Sequence, residues 1–246
     1  MAKTALVTGG LGGIGTAICR QLHCDGYTVA ATYIHNGVRL QSWLEKQKAD
    51  GFDSFHGYFC DISQWESCAK LKEAVEADLG GVDILVNNGG ITRDATFRKM
   101  TAEMWDEVIV TNLSSVFYVS RQFVPDMANR GFGRVVNISS VNAQKGQFGQ
   151  TNYSAAKAGM HGFTKALAQE VVSKGVTINT ISPGYIGTDM VNNIAEEVRE
   201  KIRAQIPVGR FGTPEEIASV VSFLASENAA FITGANIAAN GGQHMY

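Results

Sequence analysis

Tyr153 and Lys157 stand four residues apart in Gln150-Thr151-Asn152-Tyr153-Ser154-Ala155-Ala156-Lys157. On a helix, that spacing puts both side chains on one face. Ser140 lies just after the apolar run Arg134-Val135-Val136-Asn137-Ile138. The three groups suit the reduction of a carbonyl. A ketone that takes a hydride at carbon also needs a proton at oxygen. A tyrosine hydroxyl titrates near 10. A lysine ammonium beside it favours the phenolate and is expected to lower that value. A serine hydroxyl can hold the carbonyl oxygen in line. This chemistry needs no metal, and no metal-ligand spacing is visible. With 7 tyrosines and 11 lysines in the chain, chance supplies about 0.3 such Tyr–Lys pairs, and requiring the serine cuts this to roughly 0.02.

A second motif is Thr8-Gly9-Gly10-Leu11-Gly12-Gly13-Ile14-Gly15, after the apolar run Thr4–Thr8. Absent side chains let the backbone turn sharply and approach a pyrophosphate, and the following helix start offers free N–H groups. The motif reads as a dinucleotide cradle, and a ligand-free tight turn is the bland alternative. An acidic residue after the next strand would favour NAD by binding the ribose hydroxyls. The segment Thr32-Tyr33-Ile34-His35-Asn36-Gly37 has none, and no acid follows until Glu45. Arg39 could reach a 2′-phosphate, or it is a solvated residue at a helix start. NADP(H) is therefore favoured, with NAD(H) possible. Asp61 can accept from the adenine amino group or cap the next helix, expected to start at Ser63. Asn87-Asn88-Gly89-Gly90 can floor the cofactor or simply form a turn.

Alternating apolar runs and helical stretches must position these groups. Strands are read at 4–8, 28–33, 57–60, 82–86, 134–138, 176–181 and 235–238, with helices between them. One helix runs to about Asp25 and another from the Tyr153 region to about Ser173. Continuous apolar strands separated by helices predict a parallel seven-stranded sheet covered on both faces, a doubly wound α/β domain spanning 1–246. Ligands in such sheets sit outside the carboxyl ends of the strands. The composition agrees: 246 residues, 45% hydrophobic, 18% charged and a net charge of −2. It argues against a disordered chain and a broad nucleic-acid face. No run is apolar enough to span a membrane, and no signal peptide is read. Cys19, Cys24, Cys60 and Cys68 form no metal or disulfide pattern, so a cytoplasmic location is expected.

These motifs together resemble the short-chain dehydrogenase/reductase family, over essentially the whole chain. The resemblance implies a Rossmann fold and a tetrad of Asn112, Ser140, Tyr153 and Lys157. Asn112, by itself more simply a structural helix residue, would hold a relay water near Lys157. Tyr153 would be the general acid–base, and Lys157 would bind the nicotinamide ribose. Gly9, Gly12, Gly13, Ile14, Gly15, Asp61, Asn88, Gly89 and Gly90 would line the cofactor, with Pro183, Gly184, Ile186 and Thr188 around the nicotinamide and its phosphates. Two departures are visible. The family usually has Asn-Asn-Ala-Gly where this chain has Gly89, and many NADP-preferring members have a basic residue where this chain has Gly12. The segments 91–100 and 141–153 resemble the branch acting on 3-oxoacyl thioesters, and most of all bacterial acetoacetyl-CoA reductases of polyhydroxybutyrate synthesis. That likeness puts Asp94, Lys99, Gln147, Phe148, Gln150 and Tyr185 at an acyl-CoA site. It also implies a homotetramer pairing helices around 101–128 and 152–173. The rival is a reductase of acyl-carrier-protein thioesters, for which Arg130, Arg134 and Lys174 are candidate docking residues. A dinucleotide-binding module without turnover is a third reading. His161 reads as packing or interface.

Overall fold

Seven short runs become the strands of one parallel sheet. The computed structural model describes residues 2–34, 37–188, 191 and 195–245. His35 and Asn36, in the segment searched above for an acid, lie outside the described residues. The strands are β1 (Thr4–Val7), β2 (Thr28–Tyr33), β3 (Phe55–Phe59), β4 (Ile84–Asn87), β5 (Gly133–Ile138), β6 (Val176–Pro183) and β7 (Asn236–Ala239). Their spatial order is β3-β2-β1-β4-β5-β6-β7, and every pairing is parallel. The expected boundaries shift by one or two residues. β3 shifts for a physical reason: two of its five residues face solvent, so it lacks the continuous apolar signal of a central strand.

The helices are α1 (Gly13–Cys24), α2 (Gly37–Ala49), α3 (Trp65–Leu79), α4 (Ala102–Ile109), α5 (Ser115–Arg130), α6 (Asn142–Lys145), α7 (Thr151–Val171), α8 (Glu196–Arg203) and α9 (Pro214–Ala225). Alternation along β1 sends Ala5 and Val7 to one face and Leu6 to the other. Ile18 and Leu22 of α1, Trp43 of α2, and Val221 and Leu224 of α9 cover the first face. Leu71 and Val75 of α3, Phe123 and Met127 of α5, and Val171 of α7 cover the second. Each such side chain contributes about 1.5–3 kcal/mol of burial. The helical stretch expected over 101–128 is not continuous: α4 passes into α5 through a wider π turn, Val110–Ser114. No helix among the described residues is long and apolar enough to cross a membrane.

The chain crosses from one side of the sheet to the other between β1 and β4. Such a switch point opens a crevice at the carboxyl edge. Thr8, Asp61, Asn88, Ser140 and Gly184 all follow strand ends there. Arg130, Arg134 and Lys174 lie at the opposite edge, where α5 ends and β5 and β6 begin.

Candidate active site

The glycine loop is shaped by contacts that exclude side chains. Gly9 has φ +62°, a conformation that favours glycine. A Cβ at Gly10 would stand 2.6 Å from that of Ala31, and one at Gly15 would stand 2.3 Å from the Gly9 carbonyl. The Gly9 N–H donates to Thr32 Oγ1 at 3.0 Å, and Thr8 Oγ1 accepts from the N–H groups of Asn88 and Gly89. Asn88 Nδ2 donates back to the Thr8 and Gly9 carbonyls. Gly12 differs: a Cβ there would meet only the Gly9 carbonyl, at 3.4 Å. It precedes α1, whose first turn has no side-chain cap, so orphan N–H groups face an open approach. Thr188 closes the other side, since a Cβ at Gly13 would meet its methyl at 2.9 Å. This cradle fits a dinucleotide pyrophosphate.

Other cofactor-side residues line the same edge. Asp61 Oδ1 accepts from the Ser63 N–H at 3.0 Å and its hydroxyl at 2.6 Å. That is the capping alternative in a modified form, because α3 begins at Trp65 rather than Ser63. Arg39 lies exposed in the first turn of α2. Pro183 ends β6 and its carbonyl accepts from Val141, which ties the β5 and β6 ends together. Ile186 bridges to Gly212. A Cβ at Gly89 would stand 2.7 Å from Ile62 Cδ1, so the methyl usual in this motif is replaced by the tip of Ile62.

Tyr153 and Lys157 occupy the first two turns of α7. Lys157 is 3% exposed. Its Nζ lies 5.7 Å from the Tyr153 ring centroid and donates to the Ile138 carbonyl at 2.7 Å. Burial pulls its pKa down to about 8. Ser140 is buried at the end of β5, and its hydroxyl acts on the Tyr153 phenol in the sense that favours the phenolate. Burial nevertheless pushes the phenol above its ordinary value, and the Asp94 charge adds to the rise. This corrects the expectation that Lys157 lowers the tyrosine. Lost solvation dominates the phenol, while the lysine charge is itself destabilised by burial.

Asn112 sits in the π turn with no exposed surface. Its Nδ2 donates to the Ile91 carbonyl at 2.7 Å, and its Oδ1 accepts from the Ile91 N–H at 2.8 Å. A Cβ at Gly90 would stand 2.8 Å from Asn112 Oδ1 and 3.6 Å from Lys157 Nζ. Asn112 and Lys157 therefore meet across Gly90. One amide hydrogen and one lone pair of Asn112 remain for a water.

A family model described as enoyl-(acyl carrier protein) reductase matches residues 9–244. The chain belongs to the short-chain dehydrogenase/reductase family. It is 58% identical to an acetoacetyl-CoA reductase of Cupriavidus necator, over 99% of this chain and 98% of that protein. It is 56% identical to one of Rhizobium meliloti over the full length of both. A 3-oxoacyl-(acyl-carrier-protein) reductase of Staphylococcus aureus is 43% identical over 100% of this chain and 99% of that protein.

Within this short-chain dehydrogenase/reductase, the residues expected at an acyl-CoA site divide into two groups. Gln150 Nε2 donates to Asp94 Oδ2 at 2.9 Å. The Tyr185 phenol is raised by burial and then by Asp94, so Asp94, Gln150, Tyr153 and Tyr185 form one neighbourhood. Lys99, on the 3-10 turn Phe97–Lys99, and Phe148, 86% exposed, lie at the rim. The Gln147 carbonyl accepts from the Gln150 N–H, which shapes the loop before α7. The candidate docking residues do not reach this rim. Arg134 is buried and donates to the Ser226, Gly133 and Gly175 carbonyls. Arg130 binds the Val82 carbonyl and Asp83. Both, with Lys174, belong to the amino edge of the sheet.

Sequence reasoning missed Thr32, Asn142 and the Ile138 carbonyl. A main-chain anchor such as Ile138 leaves no mark in side-chain spacing. Thr32 and Asn142 act through backbone and amide bonds made only once strand ends converge. His161 is more than packing: its Nε2 lies 3.0 Å from Ser139 Oγ and 3.3 Å from Ser182 Oγ.

Proposed function

We propose that the protein reduces acetoacetyl-CoA to (R)-3-hydroxybutyryl-CoA, using NADPH, in the cytoplasm and as a homotetramer. The observation that carries this reading is Tyr153 with buried Lys157 behind it on the first turns of α7, with Ser140 at the end of β5, at the carboxyl edge beside the glycine cradle. A bound nicotinamide supplies hydride to the carbonyl carbon. Ser140 holds the carbonyl oxygen, and Tyr153, kept protonated by burial, donates its proton to that oxygen. Lys157 then faces the phenolate, and a water at Asn112 would return the proton. Gly9, Gly12, Gly13, Ile14 and Gly15 would hold the pyrophosphate. Asp61 would read the adenine, with Asn88, Gly89 and Gly90 beneath. Lys157, Pro183, Gly184, Ile186 and Thr188 would hold the nicotinamide end. Arg39, with no acid after β2, supports a 2′-phosphate. Asp94, Lys99, Gln147, Phe148, Gln150 and Tyr185 would border the acyl-CoA.

The names of the relatives from C. necator and R. meliloti support this substrate. The relative from S. aureus supports the carrier-protein alternative, but Arg130, Arg134 and Lys174 are at the wrong edge to dock a carrier at the crevice. The exposed aromatics Trp65 and Phe117, stacked at 5.9 Å between α3 and α5, favour self-association. The test is oxidation of NADPH and NADH in parallel with acetoacetyl-CoA and with an acetoacetyl carrier protein. Preferred turnover with NADPH and the CoA ester is expected. Tyr153→Phe should abolish turnover while nicotinamide fluorescence still reports cofactor binding. Unchanged turnover in that variant would defeat the proposed acid.

A further inference from the structure

The segment around Tyr185 is tied to its neighbours at the carboxyl edge of the sheet. The Val141 N–H, next to Ser140, donates to the Pro183 carbonyl at 2.8 Å, the Gly184 N–H donates to the Ala239 carbonyl at 3.0 Å, and the Gly212 N–H donates to the Tyr185 carbonyl at 3.0 Å. These three bonds run backbone to backbone. The Tyr185 N–H is met instead by a side chain, Gln243 Oε1, at 3.1 Å. A turn after β7 brings that side chain there. The pairing of β6 with β7 ends at Pro183 and Ala239, and Gly241 and Gly242, at φ +60° and +83°, fold the chain back. Buried Asn240 fixes the turn: its Oδ1 accepts from the Gly242 N–H at 3.0 Å, and its Nδ2 donates to the His244 carbonyl at 3.1 Å. The Gln243 amide then lies so close over Gly184 that a Cβ there would stand 2.5 Å from Oε1. A main-chain N–H only donates, so the amide must turn its oxygen inward.

We infer that Gln243 is a positioning residue: by accepting from the Tyr185 N–H it sets that tyrosine against the acyl thioester, and the C-terminal turn becomes part of the substrate wall. The inference rests on the proposed placement of Tyr185 beside the acyl-CoA and adds the group that holds it there. Tyr185 lies two residues past the end of β6, where no strand ladder fixes its peptide. A backbone N–H without an acceptor turns to find one, and Gly184 before it has no side chain to resist the rotation. The Gln243 acceptor therefore selects one orientation of the Tyr185 peptide. The cofactor side is held by other bonds. Thr188, whose methyl faces Gly13, follows Gly187, whose N–H donates to the Gly212 carbonyl at 2.8 Å. Losing the Gln243 bond should thus act on the thioester before the cofactor.

The test is steady-state kinetics with acetoacetyl-CoA and whichever nicotinamide cofactor supports turnover, beside cofactor binding read by nicotinamide fluorescence. Gln243→Met keeps the length of the side chain and removes the acceptor. KM for acetoacetyl-CoA should rise about fivefold, the loss of one hydrogen bond, with kcat changed by less than about twofold and the cofactor dissociation constant unmoved. Gln243→Glu keeps an oxygen for the Tyr185 N–H and should bring KM back to within about twofold of the wild type. An unmoved KM in Gln243→Met, even with a lowered melting temperature, would assign the residue a structural role and overturn the inference. Equal impairment in Gln243→Glu would overturn it, and so would a cofactor dissociation constant that rises as much as KM. If Gln243→Met fails to fold, Gln243→Ala removes the same acceptor without bulk, and an unmoved KM there is equally fatal. Tyr185→Ala keeps the two failures distinct: an unchanged KM in that variant removes the underlying reading, whereas a raised KM there with an unmoved Gln243→Met defeats only the role of Gln243.

Discussion

Replacing Lys157 by methionine should stabilise the fold while destroying the activity. Methionine keeps the length of the stem and removes the charge. In the native state burial lowers the lysine pKa to about 8, against about 10.5 when unfolded. The folded state therefore binds fewer protons than the unfolded state between these values, and the wild type gains stability as pH rises through that window. At pH 7, carrying the ammonium costs about 3 kcal/mol by linkage. Methionine leaves the Ile138 carbonyl without its donor at 2.7 Å, a loss of about 1–2 kcal/mol. The net expectation is a stabilisation of roughly 1–2 kcal/mol at pH 7. The sharper signature is its pH dependence. Between pH 7 and 9.5 the wild type should gain about 2 kcal/mol on the variant, erasing the variant's advantage. Urea unfolding of cofactor-free protein at both pH values, at one protein concentration, measures this directly. A difference that stays flat across that range would refute the assignment of Lys157 as a buried, strained cation.

Two further outcomes follow from the cofactor edge. Arg39→Ala should raise KM for NADPH about tenfold, the loss of one charge-assisted contact, and leave KM for NADH alone; equal effects on both cofactors would remove Arg39 as a phosphate reader. Gly89→Ala brings a methyl to 2.7 Å from Ile62 Cδ1 and should cost about 1 kcal/mol of stability in thermal unfolding. Adding Ile62→Val should recover most of it, and no recovery would show that the strain lies in the backbone.

The catalytic edge was more legible in the sequence than the reasons it works. Continuous apolar strands announced a buried parallel sheet, and the rule for such sheets placed Ser140, Asp61 and the glycine loop together before any coordinates. β3 was half legible because an edge strand with exposed residues has no apolar continuity. The break at Asn112 was illegible, since Val110–Ser114 reads as ordinary helix and becomes a π turn where Asn112 bonds the Ile91 backbone. The tyrosine pKa was misjudged because spacing reports which charges are near but not how much solvent is lost. Arg130, Arg134 and Lys174 were misplaced for a related reason. A basic residue beside a strand carries no sign of which strand end it marks until the strand direction is known.

Burial acts on Tyr153 and Lys157 in opposite senses. It raises the phenol and lowers the ammonium, which inverts their order and sets the phenol well above the ammonium. A phenol kept protonated at neutral pH is the form that gives a proton to a carbonyl oxygen, whereas the reverse reaction needs the phenolate. The same desolvation that raises the phenol brings the lysine down to about 8. The Asp94 charge works on the phenol in the same sense as burial. Sequence spacing alone pointed to a lowered tyrosine, because it reports the nearby lysine and not the lost solvation. The buried geometry overrides that expectation by raising the phenol.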